Sequence, residues 1–344
     1  MRVLTVNTGS SSVKTAVYDA APELRAIKAA SARQIETIAG FGAALRGLLP
    51  GLLSGLPTPA AVGHRLVVGG EAWWAPRVLD DAAVAALRKL APEAPDHLPQ
   101  ALAAIAMTQE LFPGVPQIAC SDAAFHRTLP AAARAIAVPA WAGVEKCGFH
   151  GISCEHIVAV LQAEAAAAAS AGGRLIIAHL GNGCSLTAVR GGHSVETTMG
   201  FSPLGGVAMS TRSGDLDPGV VVQMLRRRPL AAEELNRVLN RESGLLALSG
   251  TSGDMQTLLG EGTPAAAAAV EVFVYQARKA MGALAAVLGG CDLLVFTGGI
   301  GENAATVRSR ILEGMEWLIP QSRVIAADED RMIAQHVLER LNPR

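Results

Sequence analysis

The stretch Val3-Leu-Thr-Val-Asn-Thr-Gly-Ser-Ser-Ser-Val-Lys-Thr-Ala-Val-Tyr18 begins with an apolar run, passes through a turn of glycine and hydroxyl side chains, and ends in a run of alternating character. The same order returns in Leu175-Ile-Ile-Ala-His-Leu-Gly-Asn-Gly-Cys-Ser-Leu-Thr-Ala-Val189. Each stretch is typical of a β-hairpin whose turn can offer backbone N–H groups to an anion. Because the two stretches are far apart, they predict an internal duplication in which one hairpin opens each of two domains.

The length of the chain and the order of its other elements point the same way. A chain of 344 residues exceeds one ordinary core, so about two domains are expected. The patterns after the first hairpin predict helices at 81–90 and 100–111 and a strand at 116–120. Those after the second predict a helix at 264–288, a strand at 292–296 and a final amphipathic helix at 328–341. Strands that alternate with helices indicate an α/β fold in which helices cover the sheets.

The composition excludes several classes of protein. Lys and Arg total 29 and Asp and Glu total 30, and the net charge of -1 offers no general attraction for nucleic acid or an anionic membrane. Charge, Gly or Pro breaks the apolar runs before the ~18 residues that cross a bilayer, so no membrane partner is expected. Five cysteines without a CxxC pair argue against a disulfide framework and a zinc site, and favour a reducing cytoplasm.

The first hairpin turn combines small residues with groups that bind anions. Its small residues let the backbone approach a phosphate, while Ser10, Ser12 and Lys14 direct hydroxyls and a positive charge toward it. The spacing differs from that of the G-x-x-x-x-G-K-[ST] loop. From the residues alone, a phosphate site and a polar hairpin turn are equally open.

This turn and four later segments resemble the signatures of the acetate kinase family, which belongs to the actin, sugar-kinase and Hsp70-like ATPase superfamily. The later segments are Gly148-Phe-His-Gly-Ile-Ser153, His179-Leu-Gly-Asn-Gly-Cys-Ser-Leu186, Ser194 to Pro218 and Thr297-Gly-Gly-Ile-Gly-Glu-Asn303. Within the third, Thr198-Met-Gly-Phe-Ser-Pro203 and Thr211-Arg-Ser-Gly-Asp-Leu-Asp217 are the most particular. The matches run in order from residue 3 to residue 334, so the resemblance covers nearly the whole chain.

The resemblance implies a fold. This is an α/β, two-domain duplicated actin-like ATPase fold, of the ribonuclease H-like type, with an interdomain cleft. The first domain would comprise residues 1–122, with a C-terminal helix at 328–344 packing back on it. The second domain, residues 123–327, would carry the nucleotide site and the interface of a homodimer.

The resemblance also implies an activity, the reversible Mg²⁺-dependent transfer of the γ-phosphoryl group of ATP to acetate. The residues that match the catalytic residues of the family are Arg65, Asp122, His150 and Arg212. A loose, metaphosphate-like transition state needs mainly alignment and positive charge around three equatorial oxygens. Arg65, His150 and Arg212 would supply that charge. Taken alone, such an arginine is usually a solvated surface residue, and an Asp before Ala-Ala is typical of a helix N-cap.

The same resemblance assigns the ligand-binding residues. Those expected to bind ATP or ADP are Ser10, Ser12, Lys14, His179, Gly181, Asn182, Gly183, Asp254, Gly299, Ile300 and Asn303. Those expected to contact acetate or another short-chain carboxylate are Arg65, Val67, His97, Phe149 and Pro203. Asn7 and Glu329 would hold Mg²⁺ (or Mn²⁺), because magnesium prefers oxygen ligands and keeps several waters. Plain core remains the alternative for Val67, Phe149 and Pro203.

Four positions depart from the family pattern. Val68 stands where the family usually has histidine, and His97 lies three residues later than the histidine expected there. Gly205 replaces a common glutamate, and Gln256 replaces an arginine, which bears on nucleotide preference. Two alternatives follow: a propionate or butyrate kinase on the same site, and an inactive nucleotide-binding regulatory protein. A mere binder would not need the charged residues that surround a transferring phosphoryl group, and the chain retains them.

Overall fold

The structure, a computed structural model, describes residues 1–20, 23–35, 37–165 and 173–342. The chain divides into two compact units. The first unit comprises Met1–Arg127, Gly151–His156 and Asp328–Arg344, and the second comprises Thr128–His150 and Ile157–Ala327. The predicted first domain ended at residue 122, whereas the first unit continues to Arg127 and also takes up Gly151–His156. The assignment of domains stays a prediction, and residues 343–344 of the predicted final helix lie outside the described residues.

The first unit contains a mixed six-stranded sheet. Its strands are β1 (Arg2–Thr8), β2 (Ser12–Asp19), β3 (Arg25–Arg33), β4 (Ala61–Leu66), β5 (Arg77–Val78) and β6 (Gln117–Ser121). They lie in the order β3-β2-β1-β4-β6-β5. The first three strands pair antiparallel, whereas β4 runs parallel to β1 and β6 runs parallel to β4. The carboxyl ends of β1, β4 and β6 therefore lie at one edge of the sheet.

The second unit repeats this arrangement. Its strands are β7 (Arg174–Leu180), β8 (Cys184–Arg190), β9 (His193–Thr197), β10 (Leu293–Thr297) and β11 (Ser322–Val324), in the order β11-β10-β7-β8-β9. Again the first three strands are antiparallel, and the fourth and fifth run parallel to the first. Both predicted hairpins are present, as β1 with β2 and as β7 with β8. Apart from the two-residue β5 at the edge of the first sheet, the two sheets share one topology, which is the structural form of the predicted duplication.

Helices cover the sheets. They are α1 (Ile38–Leu53), α2 (Asp81–Leu90), α3 (Leu98–Leu111), α4 (Ala131–Arg134), α5 (Gly151–Ala165), α6 (Pro218–Arg227), α7 (Ala232–Arg241), α8 (Gly244–Ser249), α9 (Met255–Glu261), α10 (Pro264–Leu288), α11 (Gly298–Asn303), α12 (Ala305–Leu312) and α13 (Glu329–Leu341). Short 3-10 turns occupy Glu71–Trp73, Ala124–Thr128 and Ala140–Ala142. The helices predicted at 81–90 and 264–288 have the same bounds in the structure.

The alternation of side chains along β1 builds the core on both faces of the first sheet. Val3 packs with Ile333 and Val337 of α13. The next residue, Leu4, and then Val6 face the opposite side, where they pack with α1 and α3. Because successive residues of a strand point to opposite faces, one strand contributes to both layers.

The packing of α13 on β4 depends on a glycine. A Cβ atom at Gly63 would lie 2.6 Å from Cγ2 of Ile333 and 2.7 Å from Cγ2 of Val337. Such separations are far below ordinary van der Waals contact, so any larger side chain at residue 63 would push the helix away from the sheet.

In the second unit, the ends of α10 follow from local sequence signals. The Thr263 hydroxyl accepts a hydrogen bond from the Ala266 amide, and Pro264 occupies the first turn, where its missing N–H removes no helical bond. Gly289 ends the helix in the left-handed conformation, with φ of 71°. Between these ends the helix buries Phe273, Met281 and other apolar side chains.

A partly buried ion pair joins α13 to the start of α5 within the first unit. Nε2 of His336 lies 2.9 Å from Oε2 of Glu155. Burial acts to lower the pKa of His336, but its interactions with Cys120 and Glu155 outweigh burial and raise the pKa to about 10. An unfolded histidine titrates near pH ~6.5. The pair therefore stabilises the folded state fully below that pH, and the contribution is lost as the pH rises through about 10.

We expect Glu155→Gln to lower the free energy of unfolding by about 1 to 3 kcal/mol near pH 6, because a buried charged group loses its partner. The difference should shrink steadily toward pH 10.5. Urea unfolding over this pH range measures it, with Glu339→Gln on the exposed side of α13 as the matched control. A difference between wild type and Glu155→Gln that stayed constant with pH would contradict the assignment.

Candidate functional site

The first predicted cluster forms at the carboxyl ends of β4 and β6. The two strands pair so that Arg65 lies opposite Cys120, and the chain reaches Asp122 directly after β6. Nη2 of Arg65 donates to Oδ2 of Asp122 at 2.7 Å, and the Asp122 side chain is fully buried. The Asp122 amide also donates to the Leu66 carbonyl at 2.8 Å. Strand pairing and the ion pair together fix the guanidinium at the edge of the sheet.

The backbone of Asp122 is held from a second side. Its carbonyl accepts a hydrogen bond from the Gly151 amide at 2.7 Å. A Cβ atom at Gly151 would lie 2.4 Å from that carbonyl oxygen, so only glycine permits this contact. This contact is one of those that connect Gly151–His156 to the first unit.

Acidic groups keep Arg65 charged. Burial acts to lower the pKa of Arg65, but the charge of Asp122 and then that of Glu329 raise it above the ordinary arginine value. Nη1 of Arg65 also donates to the Thr8 carbonyl at 3.4 Å. A guanidinium held in this way presents a fixed positive charge, which suits the recognition of a carboxylate or phosphate.

The predicted metal ligands lie together beside this cluster. Nδ2 of Asn7, in β1, donates to Oε2 of Glu329, the first residue of α13, at 2.8 Å. Burial raises the pKa of the neighbouring Asp330 to about 6, and Thr5 donates a hydrogen bond to that carboxyl. The atoms that could coordinate a metal are oxygens of a carboxylate and an amide. Mg²⁺ needs only one or two such protein groups beside its waters. The chemistry of the two residues therefore fits the ion. Within the described residues, no three His, Cys, Asp or Glu side chains form a metal cluster.

The predicted phosphate turn lies between β1 and β2. The Gly9 amide donates to the Ser12 carbonyl at 2.7 Å, which closes the turn. Ser10 and Lys14 are exposed and Ser12 is half-buried. Lys14 lies opposite Asn7 in the hairpin register. The turn thus presents its hydroxyl and ammonium groups at the same edge of the sheet as Asn7.

The second cluster belongs to the second unit and centres on His150. This residue has φ of 59°, a left-handed conformation that is uncommon for a residue with a side chain and that the surroundings must impose. Nδ1 of His150 lies 3.0 Å from Oγ of Ser185, and its ring stacks on that of His179, with centroids 4.2 Å apart. The Ser185 hydroxyl therefore contacts the edge of the imidazole, and the His179 ring contacts its face.

Arg212 reaches the same point. A Cβ atom at Gly183 would lie 3.2 Å from Nε2 of His150 and 3.3 Å from Nη1 of Arg212, so glycine leaves the space before these two nitrogens open. Nη1 of Arg212 donates to the Pro203 carbonyl at 3.1 Å. A histidine nitrogen and an arginine nitrogen thus converge beside a glycine-rich turn, an arrangement suited to an oxyanion.

The glycine turns of the second unit lie close to each other. The Gly181 amide donates to the Gly183 carbonyl at 3.0 Å, and the exposed Asn182 accepts from the Ser210 amide through its carbonyl. A Cβ atom at Gly181 would lie 3.7 Å from the nitrogen of Gly299 in α11. Gly299 is exposed, and Ile300 and Asn303 lie in the same short helix, where the Asn303 side chain donates to the Gly299 carbonyl.

Asp254 lies at a position with a structural role of its own. Its carboxylate caps α9 by accepting hydrogen bonds from the Thr257 amide and the Thr257 hydroxyl, both at 2.8 Å. Both hydrogen bonds of the cap are made to Oδ2. The predicted role of Asp254 at the ribose or base stays a prediction.

The residues predicted to contact the acid are divided between the units. Val67 and His97 are buried in the first unit, and Phe149 is buried and Pro203 half-buried in the second. Val68, which replaces the family histidine, is buried in an apolar cluster with Leu66. A shallow surface depression of the second unit, lined by Leu129, Arg134 and Glu145 among others, includes none of the predicted site residues.

Ser185 is a site residue that the sequence analysis did not single out. It lies directly opposite His179 in the pairing of β7 with β8. Counting outward from the turn at residues 181–183 would have paired these two residues, because cross-strand neighbours in a hairpin follow from the length of the turn.

The topology defines the class of the protein. Leaving aside the two-residue β5 at the edge of the first sheet, the strands of each unit lie in the order third, second, first, fourth, fifth of their appearance in the chain, and only the second of them is antiparallel to the first. This duplicated sheet is the two-domain actin-like ATPase fold, so the predicted fold class is confirmed. The predicted cleft between the domains stays a prediction.

Comparisons with known proteins identify the family. Residues 53–335 match the model of the acetokinase family. An acetate kinase of Rhodopseudomonas palustris (strain ATCC BAA-98 / CGA009) is 38% identical, and the match covers 97% of each chain. The crystal structure of Porphyromonas gingivalis acetate kinase is similar with a TM-score of 0.83 at 29% identity, covering 99% of this chain and 100% of that one. A propionate kinase from Francisella tularensis subsp. tularensis SCHU S4 has a TM-score of 0.82 at 29% identity, covering 97% and 98%. This chain belongs to the acetokinase family, as its motifs indicate.

The length and apolar character of the helices decide whether any of them could cross a membrane. Among the helices of the described ranges, none has the length and apolar character that crossing a membrane requires.

We expect Asp122→Asn to lower the free energy of unfolding by about 3 kcal/mol, because it leaves the buried Arg65 guanidinium without its charged partner. The matched control is Glu110→Gln, which breaks the exposed pair with Arg46 in the same unit. That change should cost no more than about 1 kcal/mol. Urea unfolding of both variants is the measurement, and equal losses would show that the Arg65–Asp122 pair contributes no more than a surface pair.

Proposed function

We propose that this protein is an acetate kinase, which transfers the γ-phosphoryl group of ATP reversibly to acetate and yields acetyl phosphate and ADP. The observation that carries the proposal is the convergence of Nε2 of His150 and Nη1 of Arg212 beside Gly183 in a member of the acetokinase family. Two cationic or donating nitrogens before a glycine-rich turn suit a phosphoryl group whose charge is spread over three oxygens.

The chemical step is a direct transfer. A carboxylate oxygen of acetate attacks the γ-phosphorus, and the bond between that phosphorus and the bridging oxygen breaks as ADP leaves with the electron pair. The step needs no proton transfer, so the protein contributes alignment and charge. His150 and Arg212 donate hydrogen bonds to the oxygens of the moving phosphoryl group.

In this proposal Arg65 and Asp122 act together. Arg65 binds the carboxylate of acetate or the phosphoryl oxygens through its guanidinium, and Asp122 holds that guanidinium at 2.7 Å. Asp122 therefore acts by orientation and charge, which its complete burial and its position after β6 support. A planar, pre-oriented arginine is well suited to a carboxylate because its parallel N–H groups match the two oxygens.

The nucleotide is assigned to the glycine turns. Ser10, Ser12 and Lys14 of the first hairpin would contact its phosphates, as would the segment from His179 to Gly183. Gly299, Ile300 and Asn303 would line the adenosine, with Asp254 near the ribose or base. The exposure of Lys14, Asn182 and Gly299 supports these assignments, because a ligand can reach them.

Asn7 and Glu329 would hold Mg²⁺ or Mn²⁺. When bound, the ion would neutralise charge on the nucleotide phosphates. Within the chain, the hydrogen bond between Asn7 and Glu329 keeps both groups at the end of β1.

The location of the protein in a reducing cytoplasm stays a prediction.

A second candidate for the acid substrate is propionate. The similar structure of a propionate kinase favours this candidate, a propionate kinase on the same site. Val67, His97, Phe149 and Pro203 are the proposed neighbours of the acyl group. A confined apolar pocket separates acids by only about 1 to 3 kcal/mol per methylene, so short acids are expected to compete.

A hydroxamate trap tests the function. Purified protein is incubated with Mg-ATP, hydroxylamine and acetate, propionate or butyrate, and acyl hydroxamate and ADP are measured together. We expect one hydroxamate per ADP, with the highest kcat/KM for acetate. A higher kcat/KM for propionate would select the second candidate, and no hydroxamate with any of the acids would favour the inactive nucleotide-binding protein.

We also propose that the protein is a homodimer that associates through the second unit. Helices α6 and α7 bury none of their residues, and Leu216, Val220 and Val222 are exposed at or near α6. An amphipathic helix with an uncovered apolar side is stabilised when a second copy covers it.

Light scattering should therefore report twice the chain mass of 35.4 kDa. Val222→Glu should shift the protein toward the monomer, because the charge would be buried in the interface. Val138→Glu, another exposed valine of the second unit that lies far from α6 in sequence, is the control. A wild-type protein of single-chain mass would contradict the dimer, and dimers of both variants would place the interface elsewhere.

We expect Arg212→Ala to lower kcat by about a hundredfold or more, with a small change in KM for ATP. The reason is that its proposed partners exist chiefly in the transition state. Steady-state kinetics measures the effect, and Arg323→Ala, which removes an exposed arginine of the same unit, is the control. Near-normal turnover in Arg212→Ala would remove this residue from the mechanism.

A further inference from the structure

His150 is held by two residues that face each other across one hairpin. His179 in β7 and Ser185 in β8 are register partners. Side chains of directly opposed residues emerge on the same face of a sheet, at a separation of about 5 Å. The His179 ring lies against the face of the His150 ring, with an interplanar angle of 25°, and the Ser185 hydroxyl lies 3.0 Å from its Nδ1. One pair of opposed residues in the hairpin thus contacts both the face of the imidazole and its Nδ1.

The identity of the group at Nδ1 decides what Nε2 can do. A neutral imidazole carries one proton, and the hydrogen bond at one nitrogen sets which nitrogen bears it. When the Ser185 hydroxyl donates to Nδ1, the proton is on Nε2, which is the nitrogen beside Gly183 and Arg212. A backbone carbonyl at Nδ1 would do the opposite, because it can only accept.

A serine hydroxyl differs from a carboxylate in a second respect. It can donate to a neutral imidazole and accept from a protonated one, since it has one O–H and two lone pairs. In both cases Nε2 keeps its proton, whereas a neutral imidazole protonated at Nδ1 would donate to the hydroxyl and leave Nε2 without one. Ser185 is fully buried, so water does not compete for this hydrogen bond.

We propose that Ser185 is a positioning residue for the phosphoryl transfer: its hydroxyl holds His150 in the form in which Nε2–H points toward the transferring phosphoryl group. The proposal rests on the proposed function for the identity of that group. To the proposed function it adds a residue, Ser185, that acts only through His150.

The first experiment reads the protonation of His150 in the full-length protein without substrate. Long-range proton–nitrogen NMR spectra of protein labelled with ¹⁵N-histidine distinguish the two neutral forms, and the His150→Ala spectrum assigns the signals. We expect the Nε2–H form in the wild type and a mixture of both forms in Ser185→Ala. An Nδ1–H form in the wild type, or spectra unchanged by Ser185→Ala, would overturn the proposal whatever the enzyme does.

The second experiment is a double-mutant cycle on turnover. Ser185→Ala should lower kcat about tenfold, the lower end of what loss of a partner that orients a histidine costs. KM for both substrates should change by less than about twofold, because the effect is on the transition state. In a His150→Ala background, Ser185→Ala should have no further effect, since the two changes remove one function.

Two further variants separate positioning from a structural effect. Thr187→Val removes another fully buried hydroxyl from the same strand and should leave kcat unchanged. Ser185→Cys keeps the size of the side chain and a weak hydrogen bond, so its kcat should lie between those of the wild type and Ser185→Ala. A loss that is equal with and without His150, or that Thr187→Val reproduces, would show that Ser185 acts through the fold. Loss of the proposed transferase activity altogether would leave the NMR result standing, so the two proposals fail separately.

Discussion

The pairing of Arg65 with Asp122 is the interaction on which the predicted site of the first unit depends. Burying a guanidinium requires a compensating charge, and the parallel pairing of β4 with β6 brings that charge from a residue 57 positions away in the chain. Once the ion pair is in place, the remaining acids, Glu329 and Asp330, collect around the same arginine. The first unit thus concentrates opposite charges at one edge of its sheet, where they stabilise each other.

The second unit positions a different kind of side chain. His150 is held by stacking and by a neutral hydroxyl, both supplied by one hairpin. A hydroxyl can donate a hydrogen bond to an imidazole nitrogen or accept one from it. The two units therefore use the same strand topology for different electrostatic tasks: one fixes a permanent charge, and the other orients a hydrogen-bond donor beside Arg212.

Several parts of this arrangement were predictable because they depend on local signals. The helix at 81–90 follows an Asp that caps it, and the helix at 264–288 begins at a Thr-Pro pair and ends at a glycine. The two hairpins follow from apolar runs around glycine-rich turns. The resemblance of the motifs then placed Arg65 and Asp122, and likewise His150 and Arg212, among the site residues. The Nη2–Oδ2 bond and the convergence beside Gly183 show that the members of each pair lie near each other within their own unit.

Other parts depend on contacts between residues that are distant in the chain. Gly151–His156 joins the first unit through contacts that no local pattern reveals, among them the fit of Gly151 against the Asp122 carbonyl and the pair of Glu155 with His336. The hydrogen bond of Ser185 with His150 likewise depends on which side chains the folded backbone brings within reach of each other. By itself, the sequence determined the elements, the duplication and the residue types that chemistry requires, because periodicity, capping and turn formation act over a few residues. Only the tertiary structure decided which of those residues touch, since strand register and helix packing set distances to within an ångström and a hydrogen bond tolerates little more.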